Sequence, residues 1–320
     1  MKKILVALLM VLMVAGTVMA ADHLKIGVSI PTADHGWTGG INWWAQKAIN
    51  DWKALDPDVE FFLVTAASPA EQVGQVEDLM VKGIDALVIL AHDSAPLTPV
   101  VKEAYDSGIF VVSIDRGLTE PVQNIYVAGD NPGLGQVSGQ WLAKALGGKG
   151  KIVVLEGIPC VINTERVDAF NAVMKEYPGI DILDSQPAYW STQKGLEIME
   201  NYLQKYPQID AVWAQDDDVL KGVLQAYKES GRTDIKIMLG GAGSKDIVKM
   251  VMDGDPLVQA DVTYPPSMIA TGISAAVMSM RGEMPGSWYY QHQWPSKIIV
   301  PAELVTPENA ANYYEPDSIY

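Results

Sequence analysis

The stretch Val111-Val112-Ser113-Ile114-Asp115-Arg116 runs apolar and β-branched, then stops on an acid and a guanidinium. A short run of this kind between polar neighbours predicts a strand buried on both faces, as in a parallel sheet. In an open α/β sheet, ligands bind just beyond the carboxyl ends of the strands, so Asp115 and Arg116 stand where a ligand would sit. Side by side they offer a carboxylate acceptor and a planar five-donor fork, a pair suited to neutral polyhydroxy groups. Taken alone, such a pair is more often a structural ion pair at a loop mouth.

Working outward, strands and helices alternate. Before the stretch come a strand at 24–30, a loop at 31–36 and a helix to about 55. A strand at 59–64, a helix at 69–82, a strand at 86–90 and a helix at 96–107 follow. Ser68 and Pro69 supply an N-cap and a first helical residue. Beyond the stretch the pattern restarts: strands at 124–128, 151–155, 180–186, 211–214, 236–239 and 257–262 are separated by helices at 132–146, 164–176, 191–205, 218–230 and 244–253. A helix from 266 to about 281 and a last strand at 298–300 complete it, before a polar, Tyr-bearing tail. Such alternation predicts right-handed βαβ units and two doubly wound α/β halves, with no low-complexity linker between them.

The chain of 320 residues opens with Met1-Lys2-Lys3, an apolar run from Ile4 to Val18, and Val18-Met19-Ala20. This is the pattern of a secretory signal peptide, residues 1–20, cut after Ala20 or, second, after Ala21. The apolar core is too short for a comfortable membrane span, and no later run approaches about 20 apolar residues. No cysteine follows the cut, which argues against a lipid anchor. An exported, periplasmic protein is expected. Cys160, the only cysteine, leaves no intramolecular disulfide. Losing Lys2 and Lys3 with the leader leaves 21 of the 23 basic side chains against 39 acidic ones, which argues against nucleic acid as a partner. Nine tryptophans are many for this length, and aromatic faces commonly line small-ligand pockets.

Several motifs invite a reading and fail it. Gly133-Leu134-Gly135-Gln136-Val137-Ser138-Gly139 approaches a dinucleotide fingerprint, but its spacing is one residue too long; close helix–sheet packing explains the glycines better. Gly240-Gly241-Ala242-Gly243-Ser244-Lys245 lacks the spacing and the Lys-Ser/Thr order of a phosphate loop. Asp216-Asp217-Asp218 is too compact for a hard-cation loop and reads as one ligand-facing acid followed by helix N-terminal acids. The four histidines show no metal spacing, and no nucleophile elbow is present. No enzyme, cofactor or metal is expected.

With the elements ordered, the residues at the strand ends resemble a known family. The landmarks are Val76-Glu77-Asp78-Leu79 ahead of Gly83, Ile114-Asp115-Arg116, Gly129-Asp130-Asn131, Arg166-Val167-Asp168-Ala169-Phe170, Gln186-Pro187-Ala188, Lys194-Gly195-Leu196, Ala214-Gln215-Asp216-Asp217 and Arg281-Gly282-Glu283. In this order, from about Leu24 to Val300, they resemble the periplasmic sugar-binding proteins of ABC transporters, in the ribose-binding-like branch of the type I periplasmic binding protein fold. That resemblance implies two doubly wound parallel-sheet lobes joined by a three-crossing hinge, with the crossings near Gly129, Thr263-Tyr264 and His292. The lobes would be 22–128 with 264–291, and 129–263 with 292–320.

It also implies a monosaccharide or sugar alcohol held in the cleft, an ABC permease as partner, a chemoreceptor as a further one, and a monomeric protein. Trp37 and Trp190 match positions that stack on the sugar, since an indole covers a flat C–H face without needing a hydrogen bond. Asp115, Arg116, Arg166 and Asp216 match the polar ring. There are departures. His35 stands where an Asn is usual, Thr38 replaces a second aromatic, Gly241 and Ala242 replace an aromatic and an Asp, and Thr263 replaces a Gln. Asp261, on the same strand face as Thr263, is a candidate for the missing acceptor. His92 and Asp93, at the end of the third strand, are second-tier contacts. A sugar other than ribose is therefore expected. The rivals are a fold-sharing transcriptional repressor, a binder of a charged metabolite or of a signalling furanose resembling an autoinducer, and a secreted hydrolase.

Overall fold

The computed structural model describes residues 23–33, 35–283 and 294–320; the leader read over 1–20 and the crossing placed near His292 lie outside the described residues. The first lobe is built from β1 (Leu24–Pro31), α1 (Gly36–Leu55), β2 (Val59–Ala66), α2 (Pro69–Val81), β3 (Ala86–Ile89), α3 (Ser94–Asp106), β4 (Phe110–Ile114) and β5 (Ile125–Gly129). The second contains α4 (Asn131–Ala145), β6 (Lys149–Glu156), α5 (Val161–Met174), β7 (Gly179–Pro187), α6 (Thr192–Lys205), β8 (Ala211–Ala214), α7 (Asp217–Ser230), β9 (Ile237–Leu239), α8 (Lys245–Asp253) and β10 (Asp261–Val262). α9 (Met268–Met280), β11 (Lys297–Val300) and β12 (Leu304–Val305) follow.

The first sheet has the order β11-β5-β4-β3-β1-β2 and is parallel throughout. Its central strand β3 is buried from end to end and β4 is buried from Val111 onward, as the unbroken apolar runs require. Local chemistry starts the helices. The Ser68 hydroxyl accepts the Glu71 N–H, and Pro69 occupies the first position of α2. At α4 the cap is Asp130, which accepts the Gly133 N–H at 2.8 Å. α9 returns to the first lobe, where Trp52 Nε1 donates to Ser274 Oγ and Arg281 pairs with Asp56 at 2.8 Å.

The second sheet has the order β7-β6-β8-β9, also parallel. It is extended by a bridge from Ala242 to Thr263, beside which β10 pairs antiparallel with β12. Of the strand expected over 257–262, only Asp261–Val262 is regular.

Two expectations are corrected here. The strand Lys297–Val300 pairs with β5, so it belongs to the first sheet and not to the second lobe, where 292–320 was expected. Since α9 and β11 both lie in the first lobe, the third crossing falls after Val300. There Thr263 N–H donates to Glu303 O, and Glu303 N–H donates to Thr263 Oγ1, each at 2.9 Å. The glycines of 133–139 also serve a different contact. A Cβ on Gly135 would lie 2.0 Å from the Arg166 carbonyl and one on Gly139 3.0 Å from Val173 Cβ, so these two press α4 against α5 rather than against the sheet, while Gly133 faces its own cap, Asp130.

Val305 of β12 and Ala310 of the tail beyond it pack into the second lobe's core. The tail's last residue, Tyr320, then reaches back to α1, where a Cβ on Gly36 or Gly40 would strike it.

Candidate functional site

Between the strand ends of the two lobes lies a cavity lined by His35, Trp37, Asp115, Arg116, Ile162, Arg166, Trp190, Asp216, Ala242 and Tyr264. From the first lobe, His35 caps α1 and Trp37 sits on its first turn. Thr38 Oγ1 donates to the His35 carbonyl at 2.9 Å; it is buried and braces His35 from outside the cavity lining. The Trp37 indole N–H donates to the Tyr264 carbonyl at 2.9 Å, across the hinge. Asp115 follows β4 with φ +56, a left-handed conformation that Asp tolerates better than most residues. One Arg116 N–H donates to the His92 carbonyl at 2.7 Å. His92 thus contributes its backbone, and its own N–H is held by Gln72 Oε1. Asp93 is the N-cap residue of α3. Neither His92 nor Asp93 lines the cavity.

From the second lobe, Arg166 projects from α5. Its Nε donates to Asn131 Oδ1 at 2.9 Å, and its guanidinium lies 4.3 Å from the Tyr264 ring centre and 5.8 Å from that of Trp190. Trp190 follows β7 with φ +53, after Tyr189 at φ +58. Its Nε1 is buried without a hydrogen-bond partner. Asp216 Oδ1 accepts the N–H groups of Asp218 and Val219, capping α7. Burial, reinforced by Asp218 and Asp217, pushes the Asp216 carboxyl well above the usual carboxylate range.

Sequence reasoning missed Tyr264 and Ile162. Tyr264 joins the lobes: its hydroxyl donates to Asp115 Oδ1 at 2.5 Å while its ring carries Arg166. Burial and the adjacent Asp115 carboxylate push its hydroxyl pKa up. Its only sequence signal was an aromatic within the second crossing, directly before Pro265-Pro266. Ile162 lies on the first turn of α5, after the end of β6, one turn before Arg166.

Asp261 and Thr263 are not part of the lining. Thr263 ties the hinge to Glu303. Asp261 lies under the glycine loop 240–244, whose amides hold carboxylates of the protein itself. Gly241 and Ser244 N–H donate to the two oxygens of Asp217, and Gly243 N–H donates to Asp261 Oδ2. The phosphate-loop likeness therefore has a physical basis, since it is an anion nest already occupied. Asp261 Oδ1 finds no hydrogen-bond partner there. Burial raises the pKa of both Asp217 and Asp261, the latter to about 7. Asp261 is thus not available to replace the acceptor absent at Ala242.

The four non-glycine residues with positive φ among the described residues are Asp115, Tyr189, Trp190 and Ala242. Three line the cavity, and Tyr189 lies at its mouth beside Ile158. Each such conformation costs on the order of 1–3 kcal/mol, and strain of this kind concentrates at ligand clamps. The lobes touch beyond the cavity, where Gly36 N–H donates to Asp218 Oδ2 at 2.8 Å. No group of side chains suited to a metal ion occurs among the described residues.

Comparison with known proteins agrees with this geometry. A family model described as "Periplasmic binding protein domain" matches residues 26–284. The ribose import binding protein of Escherichia coli (strain K12) is 32% identical over 217 residues, covering 68% of this chain and 72% of that protein. The xylitol-binding protein of Mycolicibacterium smegmatis is 33% identical over 215 residues, covering 66% and 61%. A periplasmic solute-binding protein of an ABC transporter from Actinobacillus succinogenes, solved with bound D-allose, superposes with a TM-score of 0.78 at 25% identity, covering 91% of this chain and 100% of that one.

Proposed function

The chain belongs to the periplasmic binding protein family, and from that premise we propose that it captures a monosaccharide or sugar alcohol between its lobes and delivers it to an ABC permease in the membrane. Its relatives bind substrates and do not transform them, which agrees with the lack of a nucleophile–base pair or metal spacing in the sequence. One observation carries the reading: two tryptophans from opposite lobes, Trp37 and Trp190, line one cavity with Asp115, Arg116, Arg166 and Asp216. The indoles cover the C–H faces of a small ring or chain, and the charged groups bind its hydroxyls by charge-assisted hydrogen bonds.

Delivery proceeds by hinge motion, the closure of two lobes around a ligand that periplasmic binding proteins share. Contact between Gly36 and Asp218 belongs to the closed arrangement, and opening separates it. The permease then distinguishes closed from open protein. A thermal-shift screen against pentoses, hexoses and polyols tests the reading. A true ligand at a hundredfold excess over its Kd stabilises the fold by about 2.7 kcal/mol. A panel in which amino acids raise the melting temperature and no sugar or polyol does would overturn it.

A further inference from the structure

The chain beyond β12 does not stay with the lobe that first receives it. Val305 and Ala310 are buried in the second lobe's core, and Tyr313 and Tyr314 pack against that core. Lys245 Nζ, on α8, donates to the Ser318 carbonyl at 2.5 Å, and Ser318 Oγ donates to the Tyr320 carbonyl at 2.6 Å. From this anchor Ile319 and Tyr320 reach the first turns of α1, in the other lobe. A Cβ on Gly36 would lie 2.7 Å from Tyr320 Cδ2, one on Gly40 3.0 Å from Tyr320 Cβ, and one on Gly39 3.5 Å from Ile319 Cδ1. Gly36 and Gly40 thus leave a notch, shared with Asp218 and Pro266, that a larger residue would fill.

The Tyr320 ring is also held from the second lobe. Lys221 Nζ, on α7, lies 5.8 Å from its centre. Asp218, at the start of the same helix, shares the notch and accepts the Gly36 N–H. The side chain therefore sits between the N-terminal turns of α1 and α7, the turns that bring Trp37 and Asp216 to the cavity from opposite sides. It is 5% exposed, and its hydroxyl finds no hydrogen-bond partner among the described residues. Burial and the neighbouring carboxyls of Asp216, Asp217 and Asp218 push that hydroxyl's pKa up, so it stays a neutral group.

We propose that Tyr320 is a latch between the lobes, whose ring favours the closed arrangement and whose unpaired hydroxyl works against it. This rests on the hinge closure proposed above. When the lobes part, α1 leaves α7 and the ring loses one of its two walls to water, which is unfavourable. At the same moment the hydroxyl gains water as a partner, which is favourable. The two effects oppose each other within one side chain, so the closed form is supported without being locked. In a protein that must also release what it binds, this balance sets the fraction of molecules competent to hold a ligand tightly.

Double electron–electron resonance tests this with no ligand present. In a Cys160→Ser background, spin labels are placed on Glu120→Cys, exposed after β4, and on Glu200→Cys, exposed on α6, and the interlobe distance gives the ratio of closed to open molecules. Tyr320→Phe keeps the ring and removes the hydroxyl, and raises that ratio about threefold or more. Tyr320→Ala removes the ring as well and lowers the ratio about tenfold or more. Circular dichroism checks that both variants fold, and a merely structural tyrosine would lower the urea midpoint without moving the ratio. A ratio moved the same way by both substitutions, or by neither, overturns the latch; the sugar-binding reading is untouched, since no ligand enters the measurement. A sugar or polyol that raises the melting temperature yet moves the distance in none of the three proteins overturns the hinge closure as well.

Discussion

The two lobes bring comparable groups to the cavity on different foundations. In the first, Asp115 and Arg116 stand at the end of a strand buried among Val, Ile and Leu, and Asp115 is the lobe's one buried acid among the described residues. In the second, Asp210, Asp216, Asp217, Asp218 and Asp261 are all buried. Asp216 is held by the N-terminus of α7, Asp217 and Asp261 by the glycine-loop amides, and Asp210 by the Lys151 amide and Lys236. The first lobe is therefore an apolar platform carrying a few charges, and the second is a polar network of buried carboxyls whose pKa values burial raises. Similar folds reach the same cavity by different electrostatic routes.

The largest expected effect tests whether the second lobe's charge is the principal anchor. Arg166→Ala leaves Asn131 and Asp216 without their guanidinium and is expected to weaken ligand binding by about 3 kcal/mol, roughly two decades in Kd, by calorimetry. Asp115→Ala is expected to cost at least tenfold, about 1.4 kcal/mol. Equal losses would put the lobes on the same footing at the ligand. Next, Tyr264→Phe removes the hydroxyl that reaches Asp115 across the hinge, and a lowered urea midpoint equivalent to about 1.5 kcal/mol is expected. An unchanged midpoint would make that bond incidental.

A smaller effect separates the lobes by pH. The folded-state pKa values of Asp217 and Asp261 lie above the unfolded value near 3.8, so their protonation favours the fold fully below that value, and this favour is lost as pH rises through about 7. The lowered carboxyls Asp184, Asp210 and Asp234 act in the opposite sense, losing their contribution as pH falls below the usual carboxylate range. Between pH 4 and 7, hydrogen exchange in the second lobe should therefore accelerate beyond the intrinsic rate more than in the first. Asp261→Asn should flatten that difference, and a difference that survives the substitution would move its origin elsewhere. Least affected is the exposed first-lobe pair Lys47–Asp51, where Lys47→Ala is expected to change stability by no more than about 0.5 kcal/mol in the same urea assay.

How much was legible follows the same division. The alternation of elements and the strand-end pair Asp115-Arg116 came through because each depends on local pattern, while Trp37, Arg166, Trp190 and Asp216 came through the family resemblance; all six line the cavity. Long-range relations were hidden. Residues 297–300 read as a strand, but nothing local tells which sheet a four-residue strand joins. Tyr264 follows a strand only two residues long, so no periodicity pointed to its direction. Asp261 shares a strand face with Thr263, as expected, but that face looks into the glycine loop, where amides from a distant turn hold its carboxyl. His92 and Thr38 stand beside the site and support it, one through its carbonyl and the other through its hydroxyl, roles that side-chain chemistry does not announce.

Cys160 precedes α5 on the same loop that leads to Ile162 of the cavity and Ile158 of its mouth, and its thiol is exposed. Being the only cysteine of the chain, it can take a thiol-reactive fluorophore without any competing thiol being removed. On the hinge closure proposed above, a dye there would stand at the edge of the second lobe that moves. The unmutated protein thus carries an attachment point for an optical sensor of its own occupancy.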